Sequence, residues 1–471
     1  MSVFTDIAVL KRPAPEMKDW AFQIGELTFE VHDAEVELTS QLKSFEQFSG
    51  AMDKLDMLLE HIEQNNDKLE KPVFDLVNQN NELAQALGII MPYSFATEEE
   101  QAQAAQDVKD AAGADDEDKG FFAKAWESIK KFFRSIKEAC VKAWNAIRGK
   151  NKAGDEQNNA ANQVLESMEP KEVQAALDNA FSKAGRVYIT LADAKRMTAD
   201  IEKISQHCNS IGSSFGNAVE FFKFLDQFDG SFAASFEPVK DALGRLGIRI
   251  IDKNVNGQKI TDVQKDAKTI YDITPEKLKS ARDAFIDNSG ERAVSYAQSF
   301  MGRDGSIRLR VKAAIKPLDD LINNVNNLLS KMEEPATIEE ITKLVEGGAI
   351  KQWFRKMAGA QKAQQKINIA KVIGRAISKA LSTIMEVVKI ADSKIIGTSN
   401  AIDAQILLRN KRADNKDVQD LKERRETFAT NKDAEAAKAD AAKLKDTEEK
   451  YNAVKDNAAQ YEREQERIDD N

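Results

Sequence analysis

Apolar side chains recur every three or four residues along most of this chain, the spacing of helices that bury one face. The pattern is sharpest over residues 120–150. There Phe122, Ala125, Trp126, Ile129, Phe132, Phe133, Ile136, Cys140, Ala143, Trp144 and Ile147 draw one stripe. Trp126 and Trp144 stand 18 positions apart, about five turns at roughly 3.6 residues per turn, so their indoles share a face. Similar stripes run through Leu55, Leu58, Leu59 and Ile62, through Val173, Ala176, Leu177 and Phe181, and through Leu318, Leu321, Ile322, Val325 and Leu329. Period-two alternation is scarce. Leu27, Phe29 and Val31 suit a short strand, but Ala34, Leu38, Leu42 and Phe45 favour a helix. Ile248, Ile250 and Ile251 precede Asn256-Gly257, a hairpin signal. Thr274-Pro275 predicts a capped helix start. The expected class is all-α, an elongated multi-helix bundle with one small β-hairpin near 248–262 and a charged C-terminal helix or tail.

Breakers and charge divide the 471 residues. Residues 1–95 carry a net charge of −10 and read as an acidic helical N-terminal domain ending near Pro92. Residues 96–119 carry little that is apolar beyond Val108 and read as an acidic, flexible linker. The basic amphipathic helix of 120–150 follows, then a polar linker over 151–169. Residues 170–412 form a basic helical body. Over 413–471 the heptad sets Leu444, Tyr451, Ala458 and Val454, Tyr461, Ile468 suit a thin coiled coil or a disordered tail. The overall charge of −10 therefore conceals a central +13 between acidic ends, a split that gives the parts different partners or lets one neutralise another.

Two basic, aromatic-bearing segments are the candidate contact surfaces. The first offers Trp126, Lys130, Lys131, Arg134, Lys137, Lys142 and Trp144. The second, over 347–385, offers Lys351, Trp353, Arg355, Lys356, Lys362, Lys366, Lys371 and Arg375 with no Asp or Glu. Such helices neutralise phosphates without reading sequence, or lie in a membrane interface with Trp and Phe inward. The same stripes also suit core helices whose lysines are merely solvated.

Catalytic chemistry is absent from the pattern. His207 adjoins Cys208, but helical neighbours diverge and no second pair completes a zinc site. No phosphate-binding glycine loop, nucleophile elbow or HExxH motif occurs. No enzyme activity, metal or cofactor is expected. No run of 18 apolar residues exists to span a bilayer, and the N-terminus shows no secretory pattern. Two distant cysteines, Cys140 and Cys208, fit synthesis in a reducing compartment.

An acidic helical head, an acidic linker and a basic helix-rich body together resemble the internal head (inner-body) virion proteins of giant, phiKZ-like tailed bacteriophages. Members of that group carry an N-terminal propeptide that a prohead protease removes after a small residue, any residue and Glu. Ala96-Thr97-Glu98 matches that pattern, with Ser167-Met168-Glu169 as second choice; Ser44-Phe45-Glu46, Ser235-Phe236-Glu237 and Ser289-Gly290-Glu291 match too. The resemblance implies a non-enzymatic structural protein, made in the host cytoplasm, located inside the phage head and packaged, then ejected, with the genome. Its partners would be other virion proteins, packaged DNA bound non-specifically, and copies of itself. Two alternatives stand beside it: a membrane-active helical protein (a pore-former or injected effector), and a coiled-coil scaffold or adaptor.

Overall fold

The computed structural model describes residues 20–77, 95–112, 121–182, 187–255, 258–302, 304–349 and 362–410. These are mainly helical, with one two-stranded antiparallel sheet among them. Two helices of 45 residues dominate, α1 (Trp20–Gln64) and α4 (Phe121–Leu165). Each is about 68 Å long at ~1.5 Å per residue. Between them lie α2 (Lys71–Val77) and α3 (Glu98–Ala112). The rest comprises α5 (Pro170–Ala180), α6 (Leu191–Gly212), α7 (Ala218–Gln227), the short α8 (Phe232–Ser235) and α9 (Lys240–Arg245), the hairpin, then α10 (Pro275–Phe285), α11 (Glu291–Met301), α12 (Ile307–Met332), α13 (Pro335–Glu346) and α14 (Lys362–Ala391). A π-helical turn, Asp392–Ile396, follows α14, and helix resumes through residue 410.

Helix starts follow local chemistry. The side chains of Thr190, Asn217, Ser231, Thr274 and Ser306 each accept a hydrogen bond from a first-turn backbone N–H, the usual cure for orphan donors. The hairpin pairs Ile248 with Lys265 and Val255 with Gln258, three residues longer than expected. Its connecting Asn256-Gly257 lies outside the described residues. The Leu27–Val31 segment is helical, inside α1.

α1 and α4 are antiparallel. Leu27 lies against Gly149, Glu37 pairs with Lys142 at 2.9 Å, and the ring of Phe45 stacks on Phe132 with centroids 3.9 Å apart. α1 also runs antiparallel to α14, from Glu35 beside Lys389 to Asp56 beside Lys371. The three helices meet at Gly374. A Cβ there would stand 2.6 Å from Cζ of Phe45 and 3.2 Å from Cε1 of Phe133. Only hydrogen leaves room for both rings.

Three expected boundaries are corrected. Of residues 1–95, the described helix α1 is not set apart, because it shares one core with α4 and α14: Leu38, Met52, Leu55, Leu59 and Ile62 are buried with Phe133, Ile136, Ile373 and Ile377, and buried Phe45 packs on Phe132 and Phe133. The expected flexible linker contains α3, whose Ala104, Ala105, Val108 and Ala112 are buried. Small side chains suffice there because the helix lies on a surface that larger residues have already built, and methyl groups permit close approach. The polar linker over 151–169 is mostly α4 continuing to Leu165. Its Gln157, Asn158 and Asn162 are buried and find partners in other helices. The tail over 413–471 lies outside the described residues.

Replacing Gly374 by Ala is expected to destabilise the protein by about 1–3 kcal/mol, the usual cost of overpacking. Gly50, which has nothing within 4 Å of an added Cβ in the middle of α1, should behave oppositely, with Ala adding about 0.5–1 kcal/mol. Denaturant midpoints of the two variants check both signs.

Candidate functional site

The basic residues singled out in the sequence mostly face the protein's own acids. On α14, Lys371 is buried, and its Nζ lies 2.6 Å from Oδ1 of Asp53 and 3.1 Å from Oδ2 of Asp56. Arg375 donates to the other oxygen of Asp53 at 2.5 Å, and Gln364 donates to Asp56 at 2.8 Å. Two further bridges continue the ladder at 2.6 Å each, Lys379 to Glu46 and Lys389 to Glu35. Desolvation holds the Asp56 carboxyl above its ordinary range, with Lys371 and Gln364 opposing that rise. Lys351, Trp353, Arg355 and Lys356 lie outside the described residues, as does the side chain of Lys362. Lys366 is half-buried near the start of α14.

On α4 the picture is mixed. Lys130 pairs with Glu127, Arg134 with Glu333 at 3.0 Å, and Lys137 donates to Ser330 at 2.7 Å. Lys142 bonds Glu37, while Lys124, Lys131 and Arg148 are exposed. Trp144 is only 4% exposed and Trp126 packs partly buried against the core. The indoles therefore serve the core rather than project as anchors. No described helix is long and apolar enough to cross a membrane.

The deepest polar feature joins the second half of α4 to α12 and the helix after the π turn. Arg308 is 1% exposed and Asp403 is 0% exposed, with Nη1 of Arg308 3.7 Å from Oδ2 of Asp403. Arg308 also donates to Asn400 at 2.7 Å, Ser399 at 3.1 Å and Asp155 at 3.3 Å. Asn158 donates to both oxygens of Asp403, and Asn162 donates to the Oδ1 of Asn158 and to the Met301 carbonyl. Lys312 closes the cluster on Asp155, and Lys150 ties α4 to Asp392 in the π turn at 2.7 Å. Gly154 leaves the space that Arg308 fills: an added Cβ would lie 2.8 Å from its guanidinium. Burial pushes the Asp403 carboxyl up to about 7 despite Arg308 and Asn158, which favour its charge. The Lys312 ammonium is held below its ordinary value by burial and then by Arg308. The cluster can bind or release a proton near neutrality, yet nothing in it aligns a nucleophile with a base.

His207 bonds the Ser235 carbonyl at 2.7 Å and meets Phe236 edge-on, a core role. Cys140 and Cys208 are buried free thiols, both pushed up to about 12 by burial. Among the described residues no group of His, Cys, Asp or Glu could hold a metal ion.

The cleavage candidates differ in access. Ala96, Thr97 and Glu98 are exposed, with the Glu98 side chain 83% open and paired to Lys68 at 2.7 Å. They form the start of α3. The Thr97 hydroxyl accepts from the Glu100 N–H at 3.2 Å, and the Glu100 carboxylate accepts from the Thr97 N–H at 2.9 Å. This is a capping box, readable as Thr-x-x-Glu in the sequence. Ser167, Met168 and Glu169 lie in the turn between α4 and α5 with Met168 half-buried. In the other matches, Phe45 and Phe236 are buried.

No family model matches the chain, no curated protein is significantly similar to it, and no solved structure resembles it.

The Asp403 carboxyl holds its proton more tightly in the folded protein than in the unfolded chain, where it titrates near ~4. It therefore adds stability that is complete below about pH 4 and lost as pH rises through about 7. Wild type should lose up to about 4 kcal/mol across that window relative to Asp403→Asn, which removes the titration. Parallel denaturant titrations of both proteins from acid to mildly alkaline pH measure the difference; curves that stay parallel would contradict it. Separately, Lys371→Met takes the paired cation from Asp56, which keeps Gln364 while Asp53 keeps Arg375, an expected loss of about 3–5 kcal/mol. Adding Asp56→Asn to that variant should recover much of it.

Proposed function

We propose that this chain is a non-enzymatic structural protein of a large phage virion, carried inside the head with the genome and trimmed after Glu98 during maturation. The observation that carries the reading is the position of Ala96-Thr97-Glu98. The tripeptide is exposed, precedes the helical body, and follows the acidic α1 whose carboxylates cover the basic side of α14. A protease that requires an accessible, locally opened chain finds it where only a capping box must fray. DNA contact falls to the part of α4 that points outward, Lys124 and Lys131, because Lys371, Arg375, Lys379 and Lys389 of α14 are already paired with α1 carboxylates. Such contact is electrostatic and independent of sequence. The inward-turned Trp144 gives the membrane-active alternative no anchor.

Terminal sequencing of the protein from its native particle tests the trimming directly. The expected result is a new N-terminus at Glu99, with fragment 1–98 still attached through the buried face of α1. An intact Met1 or Ser2 terminus overturns it. For the DNA role, full-length protein should be retained on duplex DNA at low salt and released as salt rises. Lys124→Glu with Lys131→Glu should cut retention at least several-fold; equal retention would remove α4 as the contact surface.

A further inference from the structure

The outward face of the α1–α4 pair combines three features that no role above uses. Phe29 is 59% exposed, Val36 55% and Val141 40%. Phe29 and Val36 are seven residues apart, about two turns, and share a face. The contacts Leu27 to Gly149 and Glu37 to Lys142 set Val36 level with Val141 and Phe29 level with Arg148. Around these apolar groups, α1 exposes Glu26, Glu30, Asp33 and Glu37, whereas α4 exposes Lys142, Arg148 and Lys152 with a single acid, Glu138, at the end near Val141. One edge of the face is acidic and the other basic. Glu37 holds the Lys142 ammonium above its ordinary value, and Asp33 and Glu30 add to the effect. Three carboxylates thus surround one cation and leave negative charge unbalanced on this edge.

We propose that this face is a self-complementary docking surface for a second copy of the chain. Charge selects the geometry. A two-fold axis parallel to the helices lays α1 of one copy on α4 of the other at the same height, because the pair is already antiparallel within each copy. Val36 then meets Val141 of the second copy, and Glu26 and Glu30 meet Lys152 and Arg148. An axis across the helices would instead set α1 on α1 and oppose like charges. A duplex nucleic acid is a poor occupant, since the α1 carboxylates repel phosphate. The face spans about 30 Å by ~20 Å, on the order of 600 Å² per copy. This is below the usual size of a tight interface, so the dimer is micromolar and salt-sensitive.

Sedimentation velocity of the full-length protein from about 1 to 100 µM tests this. The expected result is a dimer that grows with concentration at low salt and dissociates near ~0.5 M salt. Val36→Asp with Val141→Asp should abolish it without changing the circular dichroism, because both positions face solvent. Glu26→Lys with Glu30→Lys, and separately Arg148→Glu with Lys152→Glu, should each yield monomers. Mixing these two variants should restore a heterodimer, since one half-site then pairs reversed charges and the other keeps native ones. A monomer throughout the range at low salt overturns the proposal. So does a dimer that survives Val36→Asp with Val141→Asp, or a mixture as monomeric as its components.

Discussion

Everything in the long axis of this protein depends on one close approach, where the rings of Phe45 and Phe133 occupy the space beside Gly374. That contact brings α1, α4 and α14 together and lets their apolar stripes close. The ion pairs then decide register rather than strength. Buried pairs lose most of their Coulomb energy to desolvation, but misalignment leaves them worse off. Sliding α1 by one heptad would keep an apolar stripe facing inward. It would also bring Glu46 toward Glu386 while Asp53 took Lys379. That slide therefore replaces the Glu46–Lys379 bridge with two facing carboxylates, and the observed register avoids this.

The same logic explains what could be read from the sequence. The stripes over α4 and α12, the hairpin and the Thr274 cap are local patterns, and each formed near its expected place. The two segments read as linkers failed for different reasons. Residues 98–112 look poor in apolar mass, yet Thr97 and Glu100 announce a helix start, and the alanines bury well against neighbours that composition does not reveal. Residues 151–165 look like solvated polar chain because Asn158 and Asn162 gain their partners from Asp403 and Met301, more than a hundred residues away. No local rule could supply Arg308, Asp155 and Asp403 as one cluster. An arginine between Ile307 and Leu309, two positions before Arg310, reads as a surface residue, and its burial depends on Gly154 lacking a side chain.

Charge was the other half-legible feature. The basic segments at 120–150 and 347–385 were recognisable as exceptional, but not as already engaged. In α14 the ladder from Lys371 to Lys389 is satisfied by α1, so a helix that reads as a polyanion binder is the inner wall of a groove. The acid that neutralises it is α1, rather than the nearer acidic run after Ala96. The pairing joins residues 315 to 354 positions apart in the sequence, as Asp56 with Lys371 and Glu35 with Lys389 show.

This arrangement constrains any role for proteolysis. Cutting after Glu98 removes the covalent tether but none of the contacts of α1. Before the cut, α1 docks within its own chain at an effective concentration of order mM. Afterwards the contact becomes bimolecular and is governed by the remaining interface. That interface includes Leu38, Phe45, Met52, Leu55, Leu59 and Ile62, all nearly inaccessible, each worth roughly 1.5–3 kcal/mol when buried. Their sum exceeds the entropic cost of association, so α1 would remain seated in a confined, concentrated compartment. Unmasking of α14 then requires a second event, such as dilution, local unfolding or a competing polyanion, and cleavage alone only makes that event possible.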